Sequence, residues 1–224
     1  MTLNVTIEDI VAAREISEIL HFTSNHGLVG IFTLGCVLSR RALPGEDHLA
    51  HVAAPTSATR QEAASYFDKE QDWLDYINLS ISEINRSYFK FASQRWHTTG
   101  DRWWVILSFK PSILSLDGVY FSTTNNVYEN TSRASGAEGL KALFLDRTDR
   151  KAGWTVKRLS RAANLTTCEQ AEVLFPNPLE LSHLQAIYVT NEDHSDLVEG
   201  WLAYYKISGV SVIINEGKFL GQPN

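Results

Sequence analysis

The sequence predicts an α+β fold, on three observations. Thr6-Ile-Glu-Asp9 has the spacing of a capping box, with Asp9 where Glu or Gln is usual, and Ile7, Ile10, Val11 and Ile19 follow at helical intervals. Tyr76 to Ser82 alternates with period two, as a half-buried strand does. Helical and strand segments also interleave without the regular strand–helix–strand order of a doubly wound sheet.

Taken in order, residues 6–20 read as a helix and Leu20 to Thr23 as a short strand. Gly27 to Leu34 reads as a second helix, stopped at Gly35. Residues 40–58 are irregular, punctuated by Pro44, Gly45 and Pro55, and 59–74 read as helical. After the strand at 76–82 come a helix at 83–93, strands at Trp103–Phe109 and Val119–Thr123, and a helix at Ala137–Leu145. Glu169–Phe175, Ala186–Thr190 and Val210–Asn215 are the last strands, with a helix at Asp193–Tyr205 between the final two.

Composition bounds the function. The chain has 224 residues, 44% hydrophobic and 21% charged, which is globular rather than disordered. No repeat, low-complexity tract or linker divides it, so residues 1–224 are expected to form a single domain. The longest apolar run, Leu28 to Leu38, is about half the ~20 residues of a membrane-spanning helix, and the N-terminus has no signal-peptide character; a cytoplasmic location is the expectation. Cys36 and Cys168 are too few for a disulfide framework and read as reduced, partly buried thiols. A net charge of −6 argues against a broadly basic surface, so any nucleic-acid contact must concentrate its positive charge locally. The stretch Arg147 to Arg161 meets that requirement: Arg147, Arg150, Lys151, Lys157, Arg158 and Arg161 face a single carboxylate, Asp149, with Trp154 among them. Cations beside an aromatic ring suit a single strand, the cations taking phosphates and the ring a base; a solvated charged face is the alternative.

The glycine-rich dinucleotide fingerprint, the phosphate-binding loop, the paired-histidine zinc helix and the paired Cys-x-x-Cys are all absent. His48 and His51 have metal-ligand spacing without an evident third ligand, so no metal is expected. What remains is three short segments in order: His21-Phe22-Thr23, Asp75-Tyr76-Ile77 running into Asn78 and Ser80, and Gln170-Ala171-Glu172-Val173-Leu174. In order and spacing these resemble the DarT family of DNA ADP-ribosyltransferase toxins, over about residues 18–205. Gly27-Leu28 stands where many members carry Asn-Leu, and Ile-Asn-Leu-Ser follows Tyr76 instead of Val-Pro-Phe-Tyr. Both departures resemble the guanine-modifying branch more than the thymidine-modifying one.

The resemblance implies a mixed, mainly antiparallel central sheet flanked by helices, NAD⁺ as co-substrate, and ADP-ribose transfer to a base of single-stranded DNA. It also implies a macrodomain-type antitoxin as partner, with the enzyme itself a monomer. Glu172 would be the catalytic carboxylate. Glu169 is its competitor and, on a strand, would face the opposite side. Arg60 would grip the pyrophosphate, with Arg40 and Arg41 as alternatives. His21, Thr23, Asn78 and Ser80 would bind NAD⁺, and Arg147, Arg150, Lys151, Trp154, Lys157 and Arg158 the nucleic acid. RNA as acceptor, a non-catalytic single-strand binder and a Cys168-based hydrolase remain as rival readings.

Overall fold

The structure is a computed structural model and describes residues 5–43, 75–95, 101–126, 128, 131–151 and 153–222. The irregular stretch and helix expected between 44 and 74, with Arg60, His48 and His51, lie outside the described residues.

The chain opens on α1 (Ile7–Ala13), whose Thr6–Asp9 capping box is formed as its spacing predicts. The helix is shorter than expected because Glu15 takes φ 55°, and the Ile16 N–H then closes on the Val11 carbonyl at 3.0 Å. That left-handed helix ending usually carries Gly, so a Glu there gave no stop signal. Ile19, assigned to the helix by its spacing, is the first residue of β1 (Ile19–Ser24). Next come α2 (Asn25–Leu34), ended by left-handed Gly35, and β2 (Cys36–Val37). The middle of the chain gives β3 (Tyr76–Ile81), α3 (Arg86–Arg95), β4 (Trp104–Phe109), β5 (Tyr120–Ser122), β6 (Arg133–Ser135) and α4 (Gly136–Ala142). The basic stretch forms β7 (Arg147–Lys151) and β8 (Trp154–Lys157), followed by β9 (Glu172–Pro176) and β10 (Leu179–Glu180). The end of the chain is β11 (Leu184–Val189), α5 (Glu192–Tyr204) and β12 (Ser211–Ile214).

Eight strands make one sheet in the order β12-β11-β4-β1-β3-β9-β5-β6. Its pairs are antiparallel except β11 with β12, which gives the expected mixed, mainly antiparallel sheet. One face carries the larger core, where Ile19, Leu79, Leu107 and Phe121 meet Ile10 of α1, Leu28 of α2, Leu140 of α4 and Val198 of α5. The other face is covered by α3 and the C-terminal turn, through Leu20, Ile84, Ile106 and Phe219 with Phe22 and Phe89 against them. Among the described residues, no helix is long and apolar enough to cross a membrane.

Buried charges tie the late chain to the β3–α3 connection. Arg161 pairs with Glu83, with side chains only 9% and 5% exposed, and its other nitrogens donate to the carbonyls of Thr166 (2.8 Å) and Gln222 (2.6 Å). Removing Arg161 leaves the Glu83 carboxylate buried without this counter-charge, held by the Gln222 N–H at 2.9 Å. Arg161→Ala is therefore expected to cost about 3–5 kcal/mol in urea unfolding, and a loss below about 1 kcal/mol would show that the pair is in effect a surface one.

Candidate active site

The sheet parts in its middle. β1 pairs with β4 over all six residues but with β3 at only two positions, Ile19↔Ile81 and Leu20↔Ser80. Beyond them β3 follows β9, from Leu79↔Val173 to Tyr76↔Pro176. The opening begins at His21, whose Nδ1–H donates across it to the Asn78 carbonyl at 3.1 Å. Since Ile77, Leu79 and Ile81 belong to the larger core, alternation turns Asn78 and Ser80 to the other face. Val173 and Phe175 are likewise core residues, so Glu172 shares that face, next to Ser122, its β5 partner. His21 and Thr23 emerge on the opposite face, with Ile19. Thr23 packs against the first turn of α2, where its Oγ1 occupies the space that a side chain at Gly27 would need. The four proposed cofactor residues thus divide into two pairs, joined through the His21 bond to the Asn78 backbone.

Around Glu172 the structure assembles groups that spacing did not single out. The Asn126 N–H donates to Glu172 Oε2 at 3.0 Å. Arg133 in turn holds Asn126, through the side-chain oxygen and, at 2.7 Å, the backbone carbonyl. Tyr88, in the first turn of α3, packs on Phe22 with ring centroids 5.7 Å apart. Burial pushes its phenol well above the ordinary value, the Glu172 charge adds to this, and Arg40 opposes it. Neighbouring Arg41 forms a half-exposed ion pair with Asp75 at 3.1 Å.

Two expectations about this region change. Glu169 is not on a strand: residues 168–171 form a turn, with the Ala171 N–H bonded to the Cys168 carbonyl at 2.9 Å, so strand alternation does not relate Glu169 to Glu172. Glu169 is buried and lies 3.5 Å from the Arg150 guanidinium, with Ser87 Oγ donating to it at 3.4 Å. The basic loop is a hairpin, β7 paired with β8 from Arg147↔Lys157 to Lys151↔Trp154. Alternation along β7 buries Thr148 and Arg150 and exposes Arg147 and Lys151; on β8 Val156 is buried and Lys157 exposed, and Trp154, at the register shift opposite Lys151, is exposed as well. Arg150 faces inward, its Nε–H on Cys168 Sγ at 3.3 Å. Arg158 is half-buried and donates to the carbonyls of Leu165, Ala162 and Ala163 at 2.8, 2.8 and 3.2 Å. On the outer face, the Lys151 ammonium sits between two rings, 5.5 Å from Trp154 and 5.9 Å from Tyr128.

A family model described as "ssDNA thymidine ADP-ribosyltransferase, DarT" matches residues 20–220. The chain belongs to the DarT family. Solved DarT structures share the fold. DarT from Thermus sp. 2.9, in complex with ADP-ribosylated single-stranded DNA, superposes with a TM-score of 0.62 at 15% identity, over 90% of this chain and 95% of its own. The same protein in complex with NAD⁺ gives 0.59 at 14% identity, over 89% and 96%. DarTG from Thermosipho africanus, in complex with ADP-ribose, gives 0.61 at 14% identity, over 93% of this chain and 52% of its own. No curated protein matches the chain in sequence.

For this DarT-family chain the state of His21 is set by its surroundings. Burial holds the imidazole below its ordinary value of 6.5, the Asn78 carbonyl opposing. A neutral ring that donates from Nδ1 leaves the Nε2 lone pair free to accept. Because the folded value lies below the unfolded one, the folded protein binds fewer protons just under pH 6.5, and this ring costs stability as pH falls through that region. Nitrogen NMR of His21 is expected to report the Nδ1–H tautomer at neutral pH and a midpoint below 6.5. A midpoint at or above that value would reject the assignment.

Proposed function

We propose that this protein transfers ADP-ribose from NAD⁺ to a base of single-stranded DNA, guanine being the favoured base, as the toxin of a pair whose antitoxin carries a macrodomain. The observation that carries the chemistry is Glu172. Its carboxylate is fixed by the Asn126 N–H at 3.0 Å, on the face where the sheet parts and inside the span matched by the family model. The relatives solved in complex with NAD⁺ and with ADP-ribosylated single-stranded DNA support the substrates, and the Thermosipho DarTG supports the pairing with an antitoxin. The departures after Tyr76 support guanine.

The polar groups at the opening suit NAD⁺: a neutral imidazole with Nε2 as acceptor, the hydroxyl of Ser80, the Asn78 amide and the Arg40 cation, with Thr23 behind and Arg60 as the further pyrophosphate ligand. Bound NAD⁺ supplies the ADP-ribosyl group, the bond from ribose C1′ to nicotinamide breaking and its electron pair leaving with nicotinamide. Glu172 stabilises the positive charge that develops on the ribose. It then takes the proton displaced when the base nitrogen bonds to C1′. Asn126, held by Arg133, keeps the carboxylate aimed. On the hairpin, Arg147, Lys151, Lys157 and Trp154 contact the nucleic acid, while Arg150 and Arg158 brace the hairpin from behind.

Mass spectrometry of DNA and RNA oligonucleotides, each carrying one type of target base, incubated with the protein and NAD⁺, is expected to detect ADP-ribose on guanine-containing single-stranded DNA. Transfer only to thymine would reject the guanine assignment, and transfer only to RNA would reject the acceptor. Glu172→Ala and Glu172→Gln are expected to lower the transfer rate on the order of 10²-fold or more with NAD⁺ binding kept; near-normal turnover of either folded variant would remove Glu172 from the chemistry. Replacing Arg147, Lys151 and Lys157 with Ser is expected to flatten the log–log salt dependence of oligonucleotide binding by roughly 0.7 per residue. An unchanged slope would make these cations a solvated face.

A further inference from the structure

Leu159 is out of place by two independent measures. Its side chain is 86% exposed, the most exposed of the large apolar residues described. Its backbone has φ 46°, in the left-handed region that L-residues with bulky side chains avoid. It is the second residue of a turn closed by the Arg161 N–H on the Arg158 carbonyl at 3.1 Å, a position where positive φ is ordinarily taken by Gly, Asn or Asp. Neither burial nor local geometry accounts for a leucine there.

The turn is also fixed. Arg158, just before Leu159, donates to three carbonyls of the following loop and lies over the Phe144 ring at 5.5 Å. Arg161, just after, is anchored on Glu83 and on the Thr166 and Gln222 carbonyls. A strained turn braced on both sides holds an apolar side chain out in water, two residues beyond Lys157 and next in line to the Lys157↔Arg147 pair. Leu145, 53% exposed, lies at the same end of the hairpin, two residues before Arg147.

We infer that Leu159 is a wedge on which an unpaired nucleobase stacks, next to the nucleotide that Arg147 and Lys157 hold by its phosphate. The inference rests on the hairpin being the nucleic-acid contact, and it identifies a second base platform at the opposite end of the hairpin from Trp154. Four residue steps separate Arg147 from Lys151 along β7, roughly 13 Å. The strand therefore runs along the hairpin instead of touching its tip alone. The charge pattern favours nucleic acid over an apolar protein partner, because the exposed cations flank the leucine on both strands.

The test uses the full chain and a single-stranded DNA oligonucleotide of roughly 12 nucleotides with one dG. Leu159→Gly and Leu159→Asn both accept positive φ, so both are expected to keep the wild-type Tm within a few degrees. Each is expected to weaken oligonucleotide binding about tenfold, the loss of a buried leucine contact, while leaving the salt slope unchanged, since an apolar contact releases no counterions. A scan with one abasic residue moved along the oligonucleotide is expected to find one position at which wild-type affinity falls and the Leu159→Gly affinity does not, as a shared contact requires. Wild-type affinity in both variants, or an abasic scan in which every position affects wild type and variant alike, overturns the wedge and leaves Leu159 to a protein partner. Failure of the wild-type protein to bind the oligonucleotide at all would instead overturn the reading of the hairpin.

Discussion

The site exists because β3 serves two half-sheets that cannot stay together. At Ile19↔Ile81 and Leu20↔Ser80 it is paired to β1, and beyond that β1 keeps β4 while β3 keeps β9. A parting sheet leaves backbone groups without ladder partners, and buried backbone polar groups must be satisfied somehow. The His21 imidazole does this for the Asn78 carbonyl. The same bond sets the tautomer of the ring and joins the two sides of the opening, so the cost of separating the strands becomes the means of presenting a defined acceptor nitrogen. The larger core runs beneath both halves, through Ile19, Leu79, Leu107 and Val173, and keeps the gap local.

Buried ion pairs do the positioning that strand pairing cannot. Arg150 with Glu169 and Arg161 with Glu83 are buried and Lys218 with Glu18 partly so, and each joins a late segment to an earlier one, or a hairpin to the turn before Glu172. Such pairs give little net stability, because desolvation offsets much of the attraction. Their directionality is another matter. A guanidinium with fixed donors defines an orientation that a leucine in the same volume would not, and here the orientation is that of a two-stranded hairpin that, among the described residues, has no ladder bonds to the main sheet.

The helices and strands with ordinary grammar were legible: the Thr6–Asp9 capping box, Gly35 as helix stop, and the period-two run from Tyr76. What failed were places where a side chain took a conformation normally left to glycine, or where a cysteine sulfur organised a turn. Glu15 ended α1 at a position where sequence gives no warning. Cys168 accepts the Gln170 N–H at 3.4 Å and bends the chain just where an apolar pattern suggested continuous strand, which removed the basis for relating Glu169 to Glu172. At the candidate site, the order of three short motifs indicated Glu172 and His21 as residues to examine. Asn126, Arg133 and Tyr88 could not be read, because tertiary packing brings them to this region: Asn126 bonds Glu172, Arg133 holds Asn126, and Tyr88 packs on Phe22 within reach of the Glu172 charge. In the basic stretch the count of cations was visible but not their direction, which depends on a hairpin register that buries every second residue of β7 and only Val156 of β8.

The uneven charge has a kinetic consequence. The chain as a whole carries −6, and α5, packed beside the β12 edge, presents Glu192, Asp193, Asp196 and Glu199 to solvent. The hairpin that carries the exposed cations is tied through Arg150 to the turn before β9, in the other half of the sheet. A polyanion approaching from afar meets repulsion from the net charge, and only within about a Debye length does it meet the attraction of the hairpin. Dilute salt lengthens the reach of the first and concentrated salt cancels the second. For a nucleic acid that docks on the hairpin as proposed, encounter would then be fastest at an intermediate ionic strength, with the molecule turned before contact so that the hairpin leads.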